Sequence, residues 1–232
     1  TTKQDTGKSN LDLDRVWRRS LIAAAAARVL AVHFGATNPE EAFLAALLQD
    51  IGMLAIDSGY PELYESLSEH EQDHDLVRSL EQAQLQCDHA AVGAWLLQRW
   101  KLPQRLQAAV AQSHHHPCES FDPVSAEDVL QRSVSLSGPI ADLWMSLEPG
   151  MGLDALQVAF SPVSGIDGAG LSLLVEQVAN AAPQIEELFE VSLLEPARSA
   201  WILQEAREIM VLRNLQMVQE SARLREVAAS LQ

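Results

Sequence analysis

The chain has 232 residues, 47% of them hydrophobic and only 5% aromatic, with a formal net charge of −16. That charge excludes nucleic acid or an anionic membrane as a partner held by bulk electrostatics. The length allows one large domain or two small ones, and abundant Ala and Leu without period-two Val and Ile runs predict an all-α fold.

Residues 1–10 read as a polar tail, 11–195 as a helical domain and 196–232 as a separate helix. Asn10 or Asp12 can cap a first helix that runs to about Phe34 and stops at Gly35. Val16, Ser20, Ala23, Ala27, Leu30 and Phe34 fall at helical spacing, and the run Ala23 to Ala27 lets another helix come close. Asn38-Pro39-Glu40-Glu41 combines a cap, a Pro at the first helical position and two acids at the positive end of the dipole. It launches Ala42 to Ile56, which is apolar or small everywhere except Gln49 and Asp50. Fifteen residues fall short of the roughly 20 needed to span a bilayer. The run therefore reads as a buried helix, or a helix with its exit turn, with Gly52 freeing the chain to turn soon after Asp50. A carboxylate in such a run needs a partner. Asp50 is either a cap for nearby backbone or a metal ligand.

Tyr60-Pro61 opens a short helix, residues 68–75 read as an exposed polar loop, and Leu76 to Leu85 form a further helix. Asp88 caps the next one, which extends to Lys101 and places His89 at the head of its apolar stripe, pointing inward. Leu102-Pro103 starts another helix, which ends at His114-His115-His116-Pro117. A loop over 117–124 leads to a helix restarted at Ser125 that carries Asp142 in an apolar setting. The Gly-, Pro- and Ser-rich stretch 145–170 leaves room for a short helix near 153–159, followed by helices over 171–181 and 183–189. From Pro196 to Gln232 no Gly or later Pro interrupts the chain, and Leu203, Met210, Met217, Leu224 and Leu231 recur every seven residues. That repeat predicts a homodimeric coiled coil, with packing of its first half on the domain as the alternative.

Asp50, His89, His114 or His115, and Asp142 each follow or sit on an apolar helical face. Histidine with carboxylate suits zinc, iron or manganese, and such ions activate water for phosphoester hydrolysis. A lone inner-face histidine is more often a satisfied core residue, so spacing alone does not decide. Cys87 and Cys118 make no disulfide framework, and with His89 they match none of the usual zinc spacings. A cytoplasmic location is the expectation.

Several stretches occur together and in order. They are Trp17-Arg18-Arg19-Ser20, Phe43 to Gly52, Asp88 to Leu97, Trp100-Lys101-Leu102-Pro103 and His114-His115. Over residues 11–145 this combination resembles the HDOD domain, a bacterial relative of the HD and HD-GYP metal phosphohydrolases. The resemblance implies an HD-like helical bundle, with the family's usual N-terminal helical half expected to lie outside this chain. The first metal histidine of the catalytic relatives falls on or near Arg19. Their His-Asp pair falls on Gln49-Asp50, their next histidines resemble His89 and His114 or His115, and their closing aspartate matches Asp142. Where their Gly-Tyr-Pro signature should follow, this chain has His116-Pro117-Cys118.

Gln49 is a poor metal ligand, and Arg19 brings a fixed positive charge. The resemblance therefore implies a relict site at Arg19, Gln49, Asp50, His89, His114, His115 and Asp142, in which Arg19 pairs with Asp50 or Asp142 in place of an ion. No catalysis and no cofactor are expected. Were a metal bound, its ligands would come from Asp50, His89, His114, His115 and Asp142. The stretch Ala206 to Leu215 resembles the helical linker that joins some HDOD domains to a diguanylate cyclase. On that reading the protein relays a ligand or partner signal through its last helix to an output domain beyond this chain, which makes cyclic di-GMP. A metal-dependent phosphohydrolase and a protein-interaction scaffold are the alternatives.

Overall fold

The computed structural model describes residues 11–65, 74–114, 125–145 and 168–195, single positions at 156, 160 and 166, and scattered positions between 197 and 223. All regular structure among them is helical. The elements are α1 (Leu13–His33), α2 (Pro39–Leu47), α3 (Ile51–Gly59), α4 (Pro61–Glu65), α5 (His74–Leu85), α6 (His89–Arg99), α7 (Gln104–Ala111), α8 (Ala126–Met145) and α9 (Gly168–Phe189).

Helix α1 is the axis of the bundle. Asp12 caps it by accepting a 3.0 Å hydrogen bond from Arg15 N, and Gly35, at φ +80°, follows its end in a left-handed turn. Ala23 to Ala27 are fully buried. With no side chain beyond Cβ, they let α8 and α2 pack directly on α1, while α9 covers another part of its surface. This main core draws on α1, α2, α6–α9 and Ile202. A smaller core beneath α3, α4 and α5 holds Leu11, Met53, Ile56, Leu63, Tyr64 and Val77.

The apolar run 42–56 is two helices. The chain leaves α2 at Leu48 and re-enters helix at Ile51, so Gln49 and Asp50 occupy the turn between them. Pro39–Gly59 is long and apolar enough by composition to cross a membrane, but the turn breaks it and carries a buried carboxylate. Gly52 lies inside α3, after the turn rather than in it. A Cβ there would sit 2.0 Å from the His89 carbonyl oxygen and 2.8 Å from Gly93 N. Its missing side chain is what lets α3 press onto the first turn of α6.

Two other expectations change. The helices placed on either side of Pro183 are one continuous helix, α9, with Pro183 inside it. The polar segment read as a loop through Asp75 ends earlier, because His74 already begins α5 and is buried.

After a non-helical stretch over 190–195, the described positions from 197 to 223 are helical. Ile202 is fully buried and Leu203 packs against the main core, so the start of this helix rests on the domain. Val211, Leu212 and Leu215 are more than half exposed. Met210, Met217, Leu224 and Leu231 lie outside the residues whose side chains are described, as do the short helix read near 153–159, apart from the helical Leu156, and the loop 117–124.

Candidate functional site

Six segments converge on one buried polar cluster: Arg19 from α1, Asp50 from the α2–α3 turn, His74 and Glu81 from α5, His89 from α6, His114 after α7, and Asp142 from α8. Local structure fixes each one. The three residues Trp17-Arg18-Arg19 part ways. Trp17 packs edge-on against Phe189 of α9, Arg18 donates to the Leu193 carbonyl at 2.9 Å, and Arg19 turns inward. The Arg19 guanidinium reaches between two helices because Gly138 carries no side chain; a Cβ there would lie 3.2 Å from Nη2.

Arg19 bridges two acids. Its Nη1 donates to Asp50 Oδ2 at 2.5 Å, and its Nε and Nη2 donate to the two Asp142 oxygens at 2.7 and 3.0 Å. The latter pair is the two-pronged guanidinium–carboxylate geometry that holds both partners in one orientation. Burial disfavours charge on Arg19, yet Asp142 and Asp50 outweigh it and raise its affinity for the proton. Burial likewise opposes ionisation of Asp50, but Arg19, His74 and His89 hold its carboxyl well below the usual carboxylate range. Asp50 occupies the N-cap position of α3 without capping it, since its side chain makes no cap hydrogen bond. Its carboxylate has turned instead toward Arg19 and the histidines.

On the other side of Asp50 three imidazoles meet. His74 Nε2 lies 3.0 Å from His89 Nε2, and His114 Nε2 lies 2.7 Å from the same atom. Asp50 Oδ1 is 3.4 Å from His74 Nε2 and 3.8 Å from the other two. It makes no hydrogen bond of good geometry among the described residues.

His89 is oriented by Glu81, whose Oε2 accepts from the His89 backbone N at 2.8 Å and lies 2.6 Å from Nδ1. With the proton on Nδ1, the Nε2 lone pair faces the cluster. Tyr64 donates to the other Glu81 oxygen at 2.5 Å. Burial favours the protonated Glu81, but the bonds from His89 and Tyr64 prevail and lower its pKa. Burial of Tyr64 beside Glu81 raises the phenol's pKa. The backbone of His114 is fixed by Arg78, which donates to its carbonyl at 2.8 Å.

Of the residues singled out in the sequence, Arg19, Asp50 and Asp142 form one ion-pair group, and Asp50, His89 and His114 share the adjoining one. His115 lies outside the described residues. Gln49 is fully buried beside the site, with neither amide atom hydrogen-bonded among the described residues. Asp142 commits both oxygens to Arg19 and stays out of the histidine group. His74, Glu81 and Tyr64 are additions. For His74 and Glu81 the signal is periodic: His74, Val77 and Glu81 repeat at i, i+3 and i+7, one inward face of α5. Cys87 is a free, partly buried thiol apart from the group. Asp50, His74, His89 and His114 together could hold a metal ion, each offering one atom within 4.8 Å of the others. The sequence alone argues for a site without metal, whereas the geometry supplies a donor set that fits one.

Two expected results arise here. Gln49→Met keeps the volume and removes two unpaired buried polar atoms, so stability should rise by about 1–3 kcal/mol in denaturant titrations. A loss would mean that the amide has a partner in solution.

The second concerns pH. In chelator-treated protein, burial and then the Arg19 charge depress the pKa of His74, and burial with the neighbouring His89 and His74 places that of His114 well below 6.5. Groups depressed in the folded state bind more protons when unfolded. Their stabilisation is full above the unfolded pKa and is lost as pH falls. Stability should thus decline once pH drops through 6.5, before Asp50 and Glu81 add their own losses in the carboxylate range. Unfolding midpoints in urea between pH 8 and 5 check this; a flat profile down to pH 5 would contradict it.

The HDOD domain family model matches residues 1–117. The solved structures similar to this chain include two that cover about three quarters of it. The MmoQ response regulator from Methylococcus capsulatus str. Bath is 25% identical with a TM-score of 0.50, over 71% of this chain and 62% of that one. The "Putative phosphohydrolase" from Shewanella amazonensis SB2B is 27% identical with a TM-score of 0.57, over 76% of this chain and 63% of that one. The chain thus spans less than two thirds of the length of either. No curated protein matches it. With a family model over half its length and an HD-like helical fold, the chain belongs to the HDOD domain family.

Proposed function

We propose that this domain is a non-enzymatic signal-transduction module. One observation carries the reading: the Arg19 guanidinium lies between Asp50 and Asp142, bonded to both. A side chain that permanently occupies this position makes no exchangeable coordination site for water or a phosphoester oxygen. In the catalytic relatives a histidine on the first helix and a His-Asp pair bind metal; here Arg19 and Gln49 stand in those places. The polar cluster therefore ties six segments together and performs no hydrolysis.

The relay runs through the C-terminal helix. Its first turns pack on the main core through Ile202 and Leu203, and its later turns expose Val211, Leu212 and Leu215. A change in the domain core is thereby coupled to a helix with an apolar face free to pair. We assign that pairing to a homodimeric coiled coil over residues 203–232, and the output to a following domain such as a diguanylate cyclase, in the cytoplasm. The polar seam residues Arg213, Asn214 and Glu220 would keep two packings close in energy. Light scattering on the chain with and without residues 203–232 tests this. A dimer that becomes a monomer on truncation is the expected result; a monomer in both forms would overturn it.

The second reading, a metal-dependent phosphohydrolase with an altered ligand set, draws on the histidine group and on the name of the Shewanella relative. Turnover of a phosphodiester by metal-loaded protein separates it from the first.

A further inference from the structure

We propose that Asp50, His74, His89 and His114 form a closed four-ligand site for one zinc ion, which clamps α5 and the segment after α7 onto the α2–α3 turn and α6. This goes beyond the relay reading and does not depend on it. His74 is the decisive ligand, because Arg19 is a cation with no donor atom to offer a metal and both Asp142 oxygens are committed to Arg19.

Four observations converge. First, the three ring nitrogens crowd one another beyond what hydrogen bonds can satisfy. His89 presents an unprotonated Nε2 to the cluster because its Nδ1 faces Glu81 at 2.6 Å. That single lone pair has two imidazole nitrogens against it, at 2.7 and 3.0 Å. One lone pair cannot accept two good hydrogen bonds, whereas three such nitrogens around one cation need none. Second, Asp50 Oδ1 is aimed at the same point, 99% buried and unpaired by hydrogen bonds, while its Oδ2 is held by Arg19.

Third, the spacing suits the ion. Tetrahedral coordination at bond lengths of about 2.0–2.1 Å places neighbouring donors about 3.3 Å apart. Five of the six separations run from 2.7 to 3.8 Å, on both sides of that value, and all six are within 4.8 Å. Fourth, the charges balance. Asp50, Glu81 and Asp142 are three carboxylates in one group, and among the described residues Arg19 is the one fixed cation paired with any of them, since Arg78 reaches only the His114 carbonyl. A divalent ion neutralises the remaining two negative charges.

Glu81 completes the pattern, since metal-bound histidines commonly present their other nitrogen to a carboxylate that fixes the ring. Three nitrogens and one oxygen in a compact set favour zinc over magnesium or calcium, which take more oxygen ligands. Four protein ligands also distinguish this site from catalytic zinc centres, which keep one position open for water. The ion would be structural, and its loss would loosen α5.

The test uses full-length protein without a polyhistidine tag, stripped by chelator and reloaded with zinc. Elemental analysis should find one zinc per chain, and zinc at a thousandfold above its Kd should raise the melting temperature by about 10 °C. His74→Ala should lose both the zinc and the shift, while Cys87→Ala, at a thiol outside the donor group, should keep both. Should His74→Ala fail to fold, cobalt in the wild type decides. The site requires intense four-coordinate visible bands without a thiolate-to-metal absorption. No uptake of zinc or cobalt, a six-coordinate spectrum, a thiolate band, or equal binding by wild type and a folded His74→Ala would each overturn the proposal. Zinc binding accompanied by hydrolysis would leave it standing and overturn the non-enzymatic reading instead.

Discussion

Arg19→Ala should cost about 3–5 kcal/mol of folding stability. The loss comes less from the contacts removed than from what they leave behind. In metal-free protein Asp50, 1% exposed, would keep a negative charge with its one guanidinium partner among the described residues gone. Asp142, with its side chain 37% exposed, can fall back on water, so its share is smaller. Three consequences follow from assigning the penalty to Asp50. Adding Asp50→Asn to Arg19→Ala should recover part of the stability, because a neutral amide is cheaper to bury than a charge. Arg19→Lys should give an intermediate loss, since one ammonium cannot serve both carboxylates as the guanidinium does. The gap between Arg19→Ala and wild type should narrow on acidification, because an unpaired Asp50 can take up a proton while the paired one resists it. At about 2–4 °C per kcal/mol for a chain of this size, the fall in melting temperature is on the order of 10 °C. Loss of under about 1 kcal/mol would mean the ion pair is not formed.

Gly52→Ala should cost about 3 kcal/mol, at the upper edge of what overpacking usually does. The new Cβ would meet the His89 carbonyl oxygen at 2.0 Å, and both that oxygen and Gly93 N belong to backbone. Neither can rotate aside, so α3 and α6 must separate. That movement also carries His89 away from His74 and His114, so zinc uptake should weaken in the same variant. Two other glycines calibrate the effect. At Gly35 an added Cβ meets nothing within 4 Å, but φ is +80°, so alanine should cost about 1–2 kcal/mol through backbone strain alone. At Gly59 neither problem exists, and alanine should be neutral or slightly stabilising. A Gly52→Ala variant as stable as Gly59→Ala would refute the close-packing account.

Much of the fold was legible because its signals are local. The cap at Asp12, the stop at Gly35, the Asn38-Pro39 start and the Asp88 cap each act within a turn of the helix they bound, and those boundaries lie where expected. Pro183 and the turn at Leu48–Asp50 misled for a common reason. Whether a helix bends, breaks or continues there depends on what packs against it, and α9 continues through its proline.

The site divides in the same way. Arg19, Asp50, His89, His114 and Asp142 announce themselves as polar residues on apolar faces or in recurrent short motifs. His74 sits in a polar, charged stretch that reads as solvent-exposed until the inward face of α5 is extended back by one turn. Glu81 lies on the same inward face of α5, but only the approach of His89 and Tyr64 from other segments gives it a role. Periodicity places the acid inside, and the pairing across elements cannot be read from one helix. Two missing histidines, with Arg19 and Gln49 in their places, point to a site without metal in the sequence. The fold brings a different histidine, His74, to the far side of Asp50, where it joins His89 and His114 in a donor set.

Whether this cluster organises a regulatory domain or hydrolyses phosphoesters is tested most directly by phosphodiester cleavage with untagged protein, stripped and then loaded with zinc, manganese or iron. Cyclic di-GMP and a chromogenic diester serve as substrates, with Asp50→Asn as the control. The account expects product release no faster than with the control or the free ion. Turnover that rises with the metal bound and vanishes in Asp50→Asn would contradict it.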